Sequence, residues 1–128
     1  MRLLLDTHAV VWSFIDIGRL SAAALAAVKT PGHLVCVSVA SAWEIAINVG
    51  KGKWPEAQAV LVGFESHLAR ANFRLLPIEL DHVRAAGLMA TAHRDPFDRL
   101  LAAQAIGENL TLVTADPQMP SLGAAVLW

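Results

Sequence analysis

The sequence has few of the features that would direct a chain to the outside of the cell or into a membrane. Its single cysteine, Cys36, excludes an intrachain disulfide, which fits the reducing cytosol. No apolar run approaches the roughly 18 residues of a membrane span. The start at Met1–Leu5 is basic and then apolar, like a signal peptide. Asp6 interrupts this run, however, and no small-residue cleavage site follows a long apolar stretch. We expect a cytoplasmic protein that does not enter the membrane.

Charged residues are also scarce, at 16% of the 128 residues, and the formal net charge is −1. Proteins that wrap long nucleic acids are usually far more basic, so any nucleic-acid contact is expected to be local. Hydrophobic residues make up 55% of the chain, which provides a core and excludes a disordered chain. The apolar surplus also indicates that another chain covers part of the surface.

Strand-like and helix-like patterns alternate along the sequence. Strands are predicted at Arg2–Leu5, Leu34–Val37, Arg74–Ile78 and Thr111–Val113, with a short fifth at Ala125–Leu127. Helices are predicted at Thr7–Phe14, Ala22–Val28, Val39–Val49, Pro55–Ala71, Asp81–Met89 and Pro96–Ile106. With no repeat or linker, this order predicts an α/β fold with a mostly parallel sheet of four to five strands flanked by helices.

Polar and acidic residues follow three of the predicted strands. Asp6 comes after the first strand, Ser38 and Glu44 after the second, and Thr114 and Asp116 after the fourth. Ligands of parallel α/β folds bind beyond the carboxyl ends of the strands. The sequence therefore predicts a site at this edge of the sheet.

Glu44 belongs to a narrow polar stripe on an otherwise apolar helix. Ser41, Glu44 and Asn48 stand at positions i, i+3 and i+7, so they share one helix face. A stripe of this width could face solvent. Because the helix directly follows a buried strand, we favour a cleft that these three residues line.

The other acids each have a structural interpretation as well. Asp6 and Asp95 precede predicted helices and could be N-caps. Asp98 would stand in the first turn, where an acid favours the helix dipole. Asp116 precedes a proline and could start a turn. These alternatives remain open for each residue taken alone.

Taken together, Asp6, Glu44, Asp98 and Asp116 favour a metal site. Carboxylates that converge on one sheet edge repel one another unless a cation neutralises them or some bind protons. Oxygen ligands without a His/Cys set favour Mg²⁺ or Mn²⁺ over zinc. Such an ion activates water and neutralises charge on phosphate oxygens, so the pattern indicates phosphodiester hydrolysis.

Four segments of the chain carry a family resemblance, namely Leu3–His8, Ser38–Ile45, His93–Leu101 and Thr111–Asp116. In this order and spacing they resemble a PIN-domain ribonuclease of the VapC toxin type. The resemblance covers essentially the whole chain, and His93–Leu101 is its most distinctive part. It implies one PIN domain over residues 1–128, with the fold of a three-layer PIN-like sandwich.

The resemblance also implies a function and a set of partners. PIN toxins of this type are Mg²⁺- or Mn²⁺-dependent endoribonucleases, and their acidic quartet corresponds to Asp6, Glu44, Asp98 and Asp116. They form homodimers, are silenced by a cognate antitoxin, and cut structured RNA such as transfer RNA to stop translation. Glu44 is expected either to bind the metal or to orient the attacking water.

Further residues are expected to support this chemistry. The resemblance places Thr7 and Thr114 near the metal, whereas Ser41 lies on the polar stripe and Asp95 serves as a cap or supporting group. Contacts with substrate RNA are predicted for Lys51, Lys53 and Arg99, with ordinary surface charge as the alternative. For His8 and His93 we expect local packing or hydrogen bonds.

Three other functions compete with this hypothesis. A phosphoacceptor receiver domain needs an acidic pair after its first strand and a lysine after its last. This chain has a single acid, Asp6, after its first strand, and it has no lysine beyond Lys53. A PIN module that binds without cutting is disfavoured by the intact quartet. Metal-dependent cleavage of DNA is distinguished from RNA cleavage by the resemblance alone, because both polymers present phosphodiesters.

Overall fold

The computed structural model describes residues 1–128 as alternating strands and helices. The strands are β1 (Arg2–Leu5), β2 (Leu34–Ser38), β3 (Arg74–Leu76), β4 (Thr111–Val113) and β5 (Val126–Leu127). The helices are α1 (Thr7–Ile15), α2 (Ala22–Lys29), α3 (Val39–Gly50), α4 (Gln58–Leu61), α5 (Phe64–Ala71), α6 (Leu80–Leu88) and α7 (Pro96–Gly107). Short 3₁₀ turns occupy Ile17–Arg19, Pro55–Ala57 and Met119–Leu122. None of the helices combines the length and apolarity that crossing a membrane requires.

The five strands form one sheet in the order β3-β2-β1-β4-β5. Every pair of neighbours is parallel, so the predicted mostly parallel sheet is confirmed and is parallel throughout. The chain winds outward from β1 through β2 to β3, and then returns to the other side of β1 to form β4 and β5. The boundary between β1 and β4 is therefore the switch point at which α/β folds bind ligands.

The central strand β1 has apolar side chains on both faces of the sheet. Leu3 and Leu5 are fully buried with residues of α1, α2 and α3 on one face. Leu4 is fully buried on the other face, with Leu101 of α7 and Cys36 of β2. Helices thus cover both sides, which confirms the three-layer sandwich and explains why β1 shows no polar alternation.

The N-cap residues predicted from the sequence cap their helices. The Asp6 carboxylate accepts a hydrogen bond from the Ala9 amide at 2.8 Å, which begins α1. Asp95 accepts from the Phe97 and Asp98 amides at the start of α7. Both acids therefore satisfy amides that would otherwise lack a partner.

The single helix predicted at Pro55–Ala71 is wrong, because the chain breaks there. A 3₁₀ turn at Pro55–Ala57 leads into α4, and Gly63 adopts a φ of +68° before α5 begins. A left-handed residue cannot continue an α-helix, and glycine adopts this conformation without a steric penalty. The third strand is also shorter than predicted, because it ends at Leu76 before Pro77.

Candidate metal centre

The four predicted acids line one pocket at the switch point of the sheet. Asp6 directly follows β1 and its amide donates to Val113 of β4 at 3.0 Å. The pocket has a volume of about 210 Å³ and no hydrophobic residue in its lining. Its lining consists of Asp6, Thr7, His8, Glu44, Asp95, Asp98 and Asp116. Carboxylates that lie far apart in the sequence thus share one cavity, and the polar stripe of α3 contributes Glu44 to it.

Hydrogen bonds from α1 fix the position of Glu44. The Thr7 hydroxyl donates to Glu44 Oε1, and Ser41 Oγ lies 3.1 Å from the same hydroxyl. Thr7 and Ser41 are both buried, at 3% and 0% exposure. Asn48 continues the stripe, and its Nδ2 donates to the Glu44 carbonyl at 3.0 Å. The stripe of α3 therefore faces α1 and the pocket instead of solvent.

His93 contacts the acidic pocket through Asp98. Its Nε2 lies 2.8 Å from Asp98 Oδ2, and its side chain is 10% exposed. Local packing or a hydrogen bond was expected for His93, but its sequence position does not reveal this partner. The five-residue separation across a loop gives no periodic signal, although both residues belong to the distinctive segment His93–Leu101.

A family model decides the classification of this chain. The PIN domain model matches residues 3–124, which include all four acids of the pocket. The chain belongs to the PIN domain family. A comparison with curated protein sequences finds no match.

Several solved structures with the same fold come from toxin–antitoxin systems. VapBC2 from Rickettsia felis, bound to a promoter DNA fragment, has a TM-score of 0.69 at 19% identity and covers 99% of this chain and 98% of that one. A toxin–antitoxin complex from Klebsiella pneumoniae has a TM-score of 0.64 at 17% identity, covering 98% and 96%. VapBC-5 from Mycobacterium tuberculosis, a member of the VapBC family of toxin–antitoxin systems, has a TM-score of 0.63 at 19% identity. The match covers 98% of this chain and 95% of that one. At these identities the likeness establishes the PIN fold.

Burial makes the charged form of three acids in this PIN domain unfavourable. Desolvation raises the pKa of Asp6, against opposing hydrogen bonds from Thr114 and the Ala9 amide. Desolvation also raises the pKa values of Glu44 and Asp98. Their hydrogen bonds from Thr7 and His93 oppose the increase, whereas neighbouring carboxylates add to it. The metal-free pocket therefore favours protons or a cation.

The donor chemistry of the pocket fits a divalent ion of the Mg²⁺ or Mn²⁺ type. The acids of the pocket offer carboxylate oxygens as metal ligands, and hard cations prefer such ligands. No three His, Cys, Asp or Glu side chains converge closely enough to hold a metal in the arrangement described. Hydrogen bonds from the protein already occupy some of these carboxylates. The Thr7 hydroxyl donates to Glu44, and the Gln118 amide donates to Asp116 at 2.9 Å. Binding of an ion would therefore require side-chain adjustment within the pocket.

The remaining supporting residues are distributed around this centre. Thr114 is 3% exposed, and its hydroxyl accepts from the Asp116 amide at 3.1 Å. Lys51 is exposed at the end of α3 and lies outside the acidic pocket. Lys53 lines a neighbouring cleft that also contains Glu44. Of the two lysines predicted to contact RNA, Lys53 is therefore the one that lies next to the acids.

Arg99 differs from the sequence-based expectation of an RNA contact. Its guanidinium donates to the carbonyls of Ala86, Gly87, Met89 and His93, at 2.9, 3.3, 2.8 and 3.1 Å. These bonds join the end of α6 to the loop that carries His93. Since protein carbonyls occupy the planar fork, we assign Arg99 to holding this loop and not to binding phosphate.

The raised pKa values predict how the stability of the metal-free protein depends on pH. Between the ordinary pKa and the raised one, the folded state binds more protons than the unfolded state, so stability decreases as pH increases. Glu44→Gln removes one such group and keeps the acceptor for Thr7. We expect the metal-free variant to have a higher Tm than the wild type at pH 8. This difference should shrink as the pH decreases toward the ordinary value of 4.5.

Thermal unfolding by circular dichroism between pH 8 and pH 5 measures this difference. Glu65→Gln, exposed in the first turn of α5, is the matched control. It loses a small favourable interaction with the helix dipole, so its Tm should differ from that of the wild type by a small amount that does not change between pH 8 and pH 5. A Glu44→Gln variant that is less stable than the wild type at pH 8 would contradict the prediction.

Proposed function

We propose that this PIN domain is a metal-dependent endoribonuclease that acts as the toxin of a toxin–antitoxin pair. The observation that carries the proposal is the convergence of Asp6, Glu44, Asp98 and Asp116 in one pocket at the switch point of the sheet. Carboxylates at a strand edge supply what metal-assisted hydrolysis requires, and no nucleophilic side chain is needed.

Each residue of the pocket has a part in the proposed reaction. Asp6, Asp98 and Asp116 would hold Mg²⁺ or Mn²⁺, which when bound supplies Lewis-acid activation of water and charge neutralisation at phosphate oxygens. Thr7 holds Glu44 so that it can bind the same ion or orient the attacking water. His93 fixes the orientation of the Asp98 carboxylate, as outer groups commonly do for ligands.

The choice of RNA and of a toxin role rests on similarity. The PIN family assignment supports nuclease chemistry, and several solved structures with this fold belong to VapBC and other toxin–antitoxin complexes. By this similarity we propose an antitoxin protein as partner, a homodimer as the assembly, and structured RNA such as transfer RNA as substrate. The acids themselves recognise a phosphodiester and do not distinguish RNA from DNA.

Metal dependence is the first test of this function. Purified protein, freed of antitoxin, is incubated with total cellular RNA in the presence of Mg²⁺, Mn²⁺ or EDTA. We expect discrete fragments with either metal and none with EDTA, because the carboxylates alone provide neither activated water nor positive charge. Gel electrophoresis and end mapping measure the products.

The alternatives give different products in the same experiment. Binding of RNA without metal-dependent fragments, by folded protein, would support a PIN module that binds without cutting. Metal-dependent cleavage of single-stranded DNA but not of RNA would assign the enzyme to DNA. Fragments that persist in EDTA and disappear with Asp6→Asn would contradict the metal mechanism.

A further inference from the structure

A second cleft adjoins the acidic pocket. It has a volume of about 340 Å³ and is lined by His8, Glu44, Asn48, Lys53 and Trp54. His8 and Glu44 line both cavities, so the two spaces lie side by side. A polymer with one phosphate at the acids would therefore place its neighbouring residue in this second cleft.

Two aromatic rings stand together in the cleft. The ring centroids of His8 and Trp54 are 4.8 Å apart with an interplanar angle of 35°. Trp54 is half-buried and packs against the core, which holds it rigid, whereas His8 is exposed. Because the two rings already contact each other, a base does not fit between them. The part of Trp54 that lines the cleft remains available to an unstacked base, and base–aromatic stacking tolerates any base.

Polar groups of the cleft complement the rest of a nucleotide. Lys53 is exposed and its side chain forms no hydrogen bond or ion pair, so its charge is available for a phosphate. Asn48 donates to the Glu44 carbonyl through Nδ2, which leaves Oδ1 as an acceptor. That oxygen matches the amino and imino donors on the edges of bases.

We propose that this cleft binds one nucleotide of the RNA substrate, beside the bond that is cut. The base stacks on Trp54, Lys53 neutralises the flanking phosphate, and Asn48 Oδ1 accepts a hydrogen bond from an N–H of the base edge. Trp54 is the only hydrophobic residue among the five that line the cleft, so an apolar side chain of a protein partner fits it poorly. The proposal rests on the RNA nuclease function proposed above and adds a nucleotide-binding subsite to it.

Binding of a short fluorescein-labelled single-stranded RNA, measured by anisotropy, tests the subsite. All variants are made in an Asp116→Asn background, which removes cleavage and does not alter the residues of the cleft. We expect Trp54→Leu to weaken binding by about 5- to 150-fold, since it removes one stacking contact. Trp54→Phe, which retains an aromatic face, should stay within about threefold of the parent.

Two lysines provide a matched pair of variants that tests the proposed contact between Lys53 and a phosphate. Lys53→Ala should lower the slope of log Kd against log salt by about 0.7, the value for one phosphate contact with a single strand. Lys29→Ala removes an exposed lysine at the far end of α2 and should leave both affinity and slope unchanged. This pair also tests the proposal if Trp54→Leu fails to fold, which circular dichroism would show.

The outcomes separate the subsite from the proposed function. Unchanged RNA affinity in folded Trp54→Leu, or an unchanged salt slope in Lys53→Ala, overturns the subsite but leaves the nuclease assignment standing. A Trp54→Leu variant that loses antitoxin binding and keeps RNA binding also overturns it, by giving the cleft to a protein. An Asp116→Asn parent that does not bind RNA, together with a wild type that does not cleave it, overturns both.

Discussion

Asp6→Asn is expected to lower the rate of metal-dependent RNA cleavage by about 10²–10³-fold or more. The substitution removes a negative charge from the metal centre but keeps the N-cap, because asparagine also accepts from the Ala9 amide. Since burial opposes ionisation of Asp6, the metal-free variant should unfold at the same temperature as the wild type or higher. Initial cleavage rates and thermal unfolding of the same preparations measure the two effects.

The matched control for Asp6→Asn lies at the other end of the same helix. Asp16 is exposed and pairs only with Arg19 at 3.4 Å, so Asp16→Asn should retain wild-type cleavage. If the protein is a toxin, expression of the wild type without antitoxin should stop growth, and expression of Asp6→Asn should not. A folded Asp6→Asn variant with full activity would contradict the metal mechanism.

Arg99→Leu is expected to destabilise the protein by about 2–4 kcal/mol, because four carbonyls lose a charged donor. For a chain of this length the Tm should fall by roughly 10 °C. Arg99→Lys should recover only part of this loss, since an ammonium group cannot reproduce the planar fork. Cleavage should decrease as well, because the loop that carries His93 loses its anchor. Thermal unfolding and cleavage rates are the measurements.

Arg84 offers a control for the loss of an arginine, because it lies on α6, the helix whose end Arg99 contacts. Its side chain is 66% exposed, and its contact with Asp81 spans 3.8 Å. Arg84→Leu should therefore change stability by no more than about 0.5 kcal/mol. An Arg99→Leu variant that keeps its stability but loses RNA binding would return Arg99 to the role expected from the sequence.

The sequence predicted the elements of the sheet because local patterns determine them. The strands β1 and β2 are short apolar runs, and the N-caps Asp6 and Asp95 each stand directly before the helix that they begin. The break near Gly63 was missed because an apolar pattern continues across it, while the glycine adopts a left-handed conformation there. Periodicity alone cannot distinguish a continuous helix from two helices that share a face.

The acids of the site could be predicted because each follows a strand or begins a helix. The side-chain partners could not, because they depend on packing between distant segments. Thr7 reaches Glu44 across 37 positions, and the guanidinium of Arg99 turns back to the end of α6, 13 positions earlier. Such pairings follow from how α1, α3 and α6 pack, and no local pattern encodes them.

The order of strands in the sheet also determines when during synthesis the acidic pocket can form. Thr111 of β4 pairs beside Leu3 of β1, so Asp6 and Asp116 meet only after β4 has been made. A nascent chain that has not yet reached β4 has Asp6 and Glu44 but not the complete acidic pocket. If the protein attacks the RNA of the translation machinery, such a chain cannot yet attack the ribosome that is making it.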